Sequence, residues 1–217
     1  YSGTNAQTLS GAISGTGNLT QNAASTLTLT NANTYSGATT INTGTLQIGN
    51  GLTTGSLNAT SAITVNGTLA FNRSDDITQG THFSTAAIGG TGSIVQNGAG
   101  TLTLNAANNY SGGTTLNAGT LVIGNTAAAG SGSINQTSSG SLLKVDVTGT
   151  INNAMSYYTM QASQNATLAG GVSIGAVRPP LQNSQCRRSC APSTSRPRPR
   201  SHHATPHLRF PRFRLPP

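Results

Sequence analysis

The sequence predicts an all-β chain wound as a parallel β-helix. Three observations carry that reading: a 75-residue internal repeat, an alternation of aliphatic residues with threonine inside it, and a return of that alternation at a constant separation. TLTLTNANTYSGATTINTGTLQIGN at 26–50 comes back without a gap as TLTLNAANNYSGGTTLNAGTLVIGN at 101–125, and 24 of the 36 positions of 15–50 are identical in 90–125. Repetition at a fixed period implies units stacked in a row rather than one closed globule.

The first strand of the repeat is written by Leu27 and Leu29 set between Thr26, Thr28 and Thr30, and another by Leu46 and Ile48 around Gln47. A period of two places the aliphatic side chains on one face of a strand and the threonines on the other. Between them lie an asparagine-rich corner (Asn31, Asn33), Ser36-Gly37, the β-branched run Thr39-Thr40-Ile41 and Gly44, which read as turns around a further short strand. Leu27 to Leu46, Leu29 to Ile48, Leu102 to Leu121 and Leu104 to Ile123 are all 19 apart. A constant separation suits like strands stacked in the same direction, with a third strand and two turns filling each coil. An antiparallel hairpin pairing Leu27 with Ile48 and Leu29 with Leu46 is the alternative that the spacing leaves open.

Along the chain, residues 1–14 correspond in register to 76–89, so the sequence opens inside the unit. Shorter strands are expected at 62–65 and 68–71 about an Asn66-Gly67 turn. Residues 131–148 echo them, with GSI at 132–134 resembling GSL at 55–57 and GSLLKVDV resembling GTLAFNRS. From Ile151 a further segment of the same character begins. The expected organisation is therefore units at about 1–75 and 76–150 with a partial third at 151–177. At roughly 19 residues per coil the unit makes about four coils and the body about nine, a rod on the order of 45 Å long.

The pattern TLTLTxANTYSGxTTINxGTLQIGN resembles the autotransporter-associated β-strand repeat of bacterial type V passenger regions, closely over 15–50 and 90–125, and GTLAFNRSDD resembles the rungs that link such repeats. The resemblance implies a right-handed parallel β-helix at a bacterial cell surface, anchored by a C-terminal outer-membrane β-barrel for which this chain has no segment. It further implies that the repeats assist passage across the outer membrane, with a structural and adhesive role rather than catalysis. The partners it implies are neighbouring passenger coils, and self-association or surface glycans. No cofactor is expected, and no specific nucleic acid.

Composition divides the chain. Its net charge of +8 is not spread evenly: residues 1–177 hold Arg73 and Lys144 against Asp75, Asp76 and Asp146, whereas 178–217 hold nine arginines, all nine prolines and both cysteines. A body this poor in charge and rich in Thr, Asn, Ser and Gly could be a disordered tract, but regular aliphatic alternation offers a core that such tracts lack. The tail has no alternation, and proline removes ladder donors, so 178–217 reads as a disordered appendage. It begins in mid-rung without a linker, as translation of a GC-rich gene in a wrong frame would give.

Few residues carry chemistry. Cys186, Cys190, His203 and His207 match the spacing of a zinc finger, but the APSTSRPRPRSH between them has no large aliphatic or aromatic residue to build a finger core and places Pro197 and Pro199 where its helix would start, so chance spacing is the better reading. RRS at 187–189 and RPRPR at 196–200 could meet phosphates, without aromatic residues on a folded platform beside them. Asp75 and Asp76, with Arg73 and His82, form the polar cluster of the body. Glycoside hydrolysis needs two carboxyl groups facing one cleft, and adjacent residues on a strand point to opposite faces, so NRSDD reads as a turn. The TxTxT row of Thr26, Thr28 and Thr30 recurs only once per repeat unit, too sparsely for a flat ice-binding array. Tyr35 and Tyr110 hold equivalent places after the asparagine corner, where a tyrosine can cover a core and bond a turn. No residue is nominated as catalytic, cofactor-binding or metal-ligating.

Overall fold

The computed structural model describes residues 1–174. These form nineteen strands, numbered β1 to β19 along the chain and none longer than four residues, with no helix among the described residues. The chain coils, and all pairings between named strands are parallel, as period-two alternation at a constant separation demands. One side of the coil is a nine-stranded sheet of β1 (Gln7–Leu9), β3 (Thr26–Leu29), β5 (Thr45–Ile48), β7 (Thr68–Phe71), β9 (Ser93–Gln96), β11 (Thr114–Leu116), β13 (Ile134–Gln136), β16 (Met155–Tyr157) and β19 (Val172–Ile174). A second side stacks β8 (Ile77–Thr78), β10 (Thr101–Leu104), β12 (Thr120–Ile123), β14 (Leu142–Val145) and β17 (Met160–Ala162). The third side carries β2 (Leu19–Gln21), β4 (Thr39–Ile41) and β6 (Ile63–Val65), and farther along β15 (Gly149–Ile151) with β18 (Ala166–Leu168).

The register resolves the alternative left open above. Leu27 lies beside Leu46 and Leu29 beside Ile48, and Leu102 and Leu104 pair with Leu121 and Ile123 in the same way, so the hairpin is excluded. Inward residues then stack in columns: Leu27, Leu46, Leu69 and Ile94 on the first side, and Ile77, Leu102, Leu121, Leu143 and Met160 on the second. From Leu27 to Val145 these aliphatic positions are sealed from solvent. Phe71 and Phe83 pack together in the core with ring centroids 4.7 Å apart and planes tilted by 41°.

Coil length varies, and this corrects the count of coils. Relative to the coil that brings Thr26 to Thr45, the one from Thr68 to Ser93 is longer and the one from Met155 to Val172 is shorter. Three turns carry Leu27 through Leu46 and Leu69 to Ile94, and its repeat counterpart Leu102 lies past that point on the second side. The repeat unit therefore spans three turns and a third, not four turns. Nine strands at about 4.8 Å make the described stack roughly 38 Å tall. GSLLKVDV does match GTLAFNRS as β14 to β7. GSI opens the core strand β13, however, whereas GSL lies at the bridge of Ser56 to Ala32, so that echo joins unlike places.

The corners before β5 and β12 demand glycine in the left-handed region. Gly44 and Gly119 have φ of +64° and +63°, and a Cβ on them would sit 2.1 Å from the Ala23 carbonyl and 2.2 Å from the Gly100 carbonyl of the preceding coil. Gly119→Ala is expected to cost about 1–3 kcal/mol from the backbone alone, read as a drop in the urea midpoint, whereas Gly11→Ala, with open space around its Cβ, should leave it near the parent value.

Candidate functional site

The residues shared by the two units build a clamp between coils. Asn33, buried at the asparagine corner, accepts from the Ile13 amide at 3.0 Å with Oδ1 and donates through Nδ2 to the carbonyls of Asn31 and Ser56, both at 2.9 Å. It thereby ties the coil before, its own coil and the coil after. Asn108 does the same: its Oδ1 takes the Ile88 amide at 2.8 Å, and its Nδ2 donates to the Ala128 carbonyl at 2.7 Å. Its amide also exchanges hydrogen bonds with buried Gln79, at 2.9 and 3.1 Å. Buried backbone groups at a corner have no strand neighbour, and the amide supplies one. Sequence reasoning took these residues as turn formers. The signal for the clamp was present in their identity in both repeat units while Asn31 changes to Ala106.

Tyr35 and Tyr110 lie two residues on, both fully buried, and their hydroxyls bond Thr39 Oγ1 at 2.6 Å and Thr114 Oγ1 at 2.5 Å. They lie in the core, as their place in the sequence suggested, but their hydroxyls bond the next strand, β4 or β11, and not the turn. Burial pushes both phenols above the ordinary tyrosine range, against a smaller opposing pull from the threonine hydroxyls. A raised folded pKa gives stability that is complete below the unfolded value of about 10 and is lost as pH climbs from there towards the folded value. Tyrosine absorbance in an alkaline titration should therefore contain a late component that appears as the β-signal is lost. Tyr110→Phe should shrink that component and cost about 1 kcal/mol for the lost hydrogen bond.

His82 lies in the turn after β8, and Arg73, Asp75 and Asp76 lie between β7 and β8 in a bend, as NRSDD predicted, rather than on a strand. Arg73 is buried there: Nε and Nη2 donate to the two Asp75 oxygens at 2.8 and 2.7 Å, and Nη1 donates to the Gly55 carbonyl at 2.7 Å. This fork fastens the bend to the loop of the preceding coil. The Arg73 hydrogen bond holds the Asp75 carboxyl below its usual range. Asp76 is exposed, and His82 accepts the Thr78 amide at Nδ1 at 3.0 Å. Asp75 is thus spent on Arg73, and the cluster presents no pair of free facing carboxylates.

Outside, Thr26, Thr45, Thr68 and Ser93 adjoin in register as one hydroxyl column across successive coils. Its neighbour runs Thr28, Gln47, Ala70 and Val95, so no regular two-column hydroxyl array results. At the next corner Asn42 donates to Asn22 at 2.6 Å and Asn117 to Asn97 at 2.7 Å. The zinc-finger spacing, the arginine runs and the disordered-tail expectation lie outside the described residues.

Compared with known proteins, residues 2–48 and 94–123 match the family model described as passenger-associated-transport-repeat. Over 77 residues, 34% of the chain, the sequence is 49% identical to a Brucella suis biovar 1 (strain 1330) protein named adhesin BmaC autotransporter, of which that stretch covers 2%. No solved structure matches the chain.

Proposed function

We propose, from the premise that this chain carries autotransporter passenger repeats, that it is a stretch of the surface rod of an adhesin-type autotransporter and acts structurally, without catalysis. The observation that carries this is where the repeated residues are spent. The shared leucines fill the core, Asn33 and Asn108 clamp coils, Tyr35 and Tyr110 cap the interior, and Gly44 and Gly119 close corners. A repeat so used builds length. Its outward residues on the nine-stranded side, such as Thr26, Gln47, Thr68, Ser93, Thr115 and Asn135, are uncharged and free to meet a polar neutral surface.

In this reading the rod stands outside the cell on a C-terminal β-barrel borne elsewhere in the full protein, contributes to adhesion and self-association, and helps export as each emerging coil stacks on the last. Its coil is right-handed, which the rule for parallel crossovers supports. The body at 1–177 folds as units and 178–217 is an appendage to it. Display of the chain on an outer-membrane barrel in a non-adherent bacterium tests this. Protease-accessible rods with increased clumping or attachment would uphold it, and rods at the surface with attachment equal to the bare barrel would remove the adhesive part. A melt of 1–177 matching that of all 217 residues would uphold the division, and a fold that needs the tail would end it.

A further inference from the structure

We infer that the corner after β14 is a socket for a guanidinium group, and that it takes an arginine side chain presented by a partner polypeptide. The first repeat unit shows what fills the equivalent corner. Ile48 pairs with Phe71 and Ile123 with Val145, so Gly49 beside Asn72 in one unit answers to Gly124 beside Asp146 in the other. One residue on, Arg73 answers to Val147, and both side chains are buried. Arg73 runs its stem across the glycine, where a Cβ on Gly49 would lie 2.7 Å from Arg73 Cγ. Its guanidinium then fills the corner with its bonds to Gly55 and Asp75. Val147 is too short to do so. The second unit is left with an open cavity of about 360 Å³, whose lining includes Gly124, Asn125, Thr126, Asp146, Val147 and Gln164.

The lining suits a cation that brings several donors. Asp146 is its one charged residue, and the hydrogen bond from Ser163 Oγ holds the carboxyl below its usual range, so it is ionised at neutral pH. The ion pair among the described residues is that of Arg73 with Asp75, so Asp146 is not joined to Lys144, two residues before it. The counterpart of Asp75 is Gly149, and the carboxylate of this socket comes from Asp146 instead. A carboxylate has about four lone-pair sites, and Ser163 leaves room on Asp146 for a two-pronged donor. Arginine delivers two parallel N–H bonds from a planar fork, whereas lysine brings a point charge and an anion would be repelled. One exposed ion pair holds little by itself, so a free guanidinium ion is retained poorly. A polypeptide adds contacts at the exposed rim, where Thr148 and Gln164 stand.

Amide NMR shifts of the full chain test this, with the nine arginines of 178–217 exchanged for glutamine so that they do not compete. The peptide acetyl-Gly-Arg-Gly-amide should move the amides of Gly124, Thr126 and Asp146 along one saturation curve in the millimolar range. The lysine version should bind several-fold more weakly, and the glutamate version should move none of them. Guanidinium chloride at equal concentration should move them less than the arginine peptide, and an equal response would overturn the polypeptide partner. Asp146→Asn should weaken binding about tenfold by removing the charge from the acceptor. Val147→Arg should plug the socket from within as Arg73 does, keep the β-signal and abolish binding. Should that variant fold poorly, Asp146→Asn decides alone. Shifts only at other places, undiminished binding by Asp146→Asn, or binding that survives in a folded Val147→Arg chain would refute the socket.

Discussion

Leu121→Ala is expected to destabilise the fold by about 2–5 kcal/mol, the range for removing most of a leucine side chain from a packed interior. Leu121 is fully buried on the second side, in register between Leu102 and Leu143. Strand spacing is held by the parallel ladders above and below, so the coil cannot shrink around the void, and the loss should fall towards the upper half of the range. Val122, the next residue, faces outward on the same strand, and Val122→Ala should cost about 0.5 kcal/mol or less. Urea unfolding followed by far-UV circular dichroism separates the two. Because each coil touches only its neighbours, the effect should also be local: amides of β10, β12 and β14 should exchange faster, with those of β3 to β5 little changed. Equal costs at Leu121 and Val122 would mean that the period-two assignment of inside and outside is wrong on this strand.

That assignment was legible in the sequence, because alternation reports directly on which side of a strand a residue lies. Leu27, Leu29, Leu46 and Ile48 all face inward as their spacing implied, and their constant separation did mean parallel stacking. The side of the rod on which a strand sits was not legible. A match between repeat units compares local chemistry, TLTL against TLTL, whereas position around the axis accumulates from the length of every coil in between. The coils from Thr45 to Ser93 carry loops with little periodicity, so nothing in their letters says that they make only two turns.

The polar residues were legible by type and not by role. NRSDD looked like a solvated turn, and it is a bend, but Arg73 is buried and its fork reaches back to Gly55, 18 residues earlier. An arginine two residues from an aspartate is ordinary in a surface loop, and only the contact with the preceding coil makes it a fastener. Thr26, Thr45 and Thr68 adjoin across coils, a column that the TxTxT spelling of Thr26, Thr28 and Thr30 along one strand does not report.

Asn108 shows most sharply what the repeat encodes, and Asn108→Leu is expected to cost about 2–6 kcal/mol, at about 1–3 kcal/mol for each of the two buried groups left without a partner. The substitution keeps the number and branching of the side-chain heavy atoms and removes every hydrogen bond of the amide. The Ile88 amide and the Ala128 carbonyl are left without a partner, while the Gln79 side chain loses two hydrogen bonds and keeps those to the Ala86 carbonyl and the Ala106 amide. Asn109→Leu, one residue on, changes an exposed side chain and should stay within about 0.5 kcal/mol of the parent. The same chemistry on adjacent residues thus gives opposite outcomes, because one amide points into the corner and the other points out. Hydrogen exchange supplies a readout that a simple packing defect would not move: the Ile88 amide should lose protection in Asn108→Leu beyond the change in global stability, and retain it in Leu121→Ala once that change is allowed for. If Ile88 stayed protected in Asn108→Leu, the amide would not be what joins the coils. The clamp at Asn33 and Asn108 would then be one turn among many, and the retention of asparagine at both positions would need a different cause.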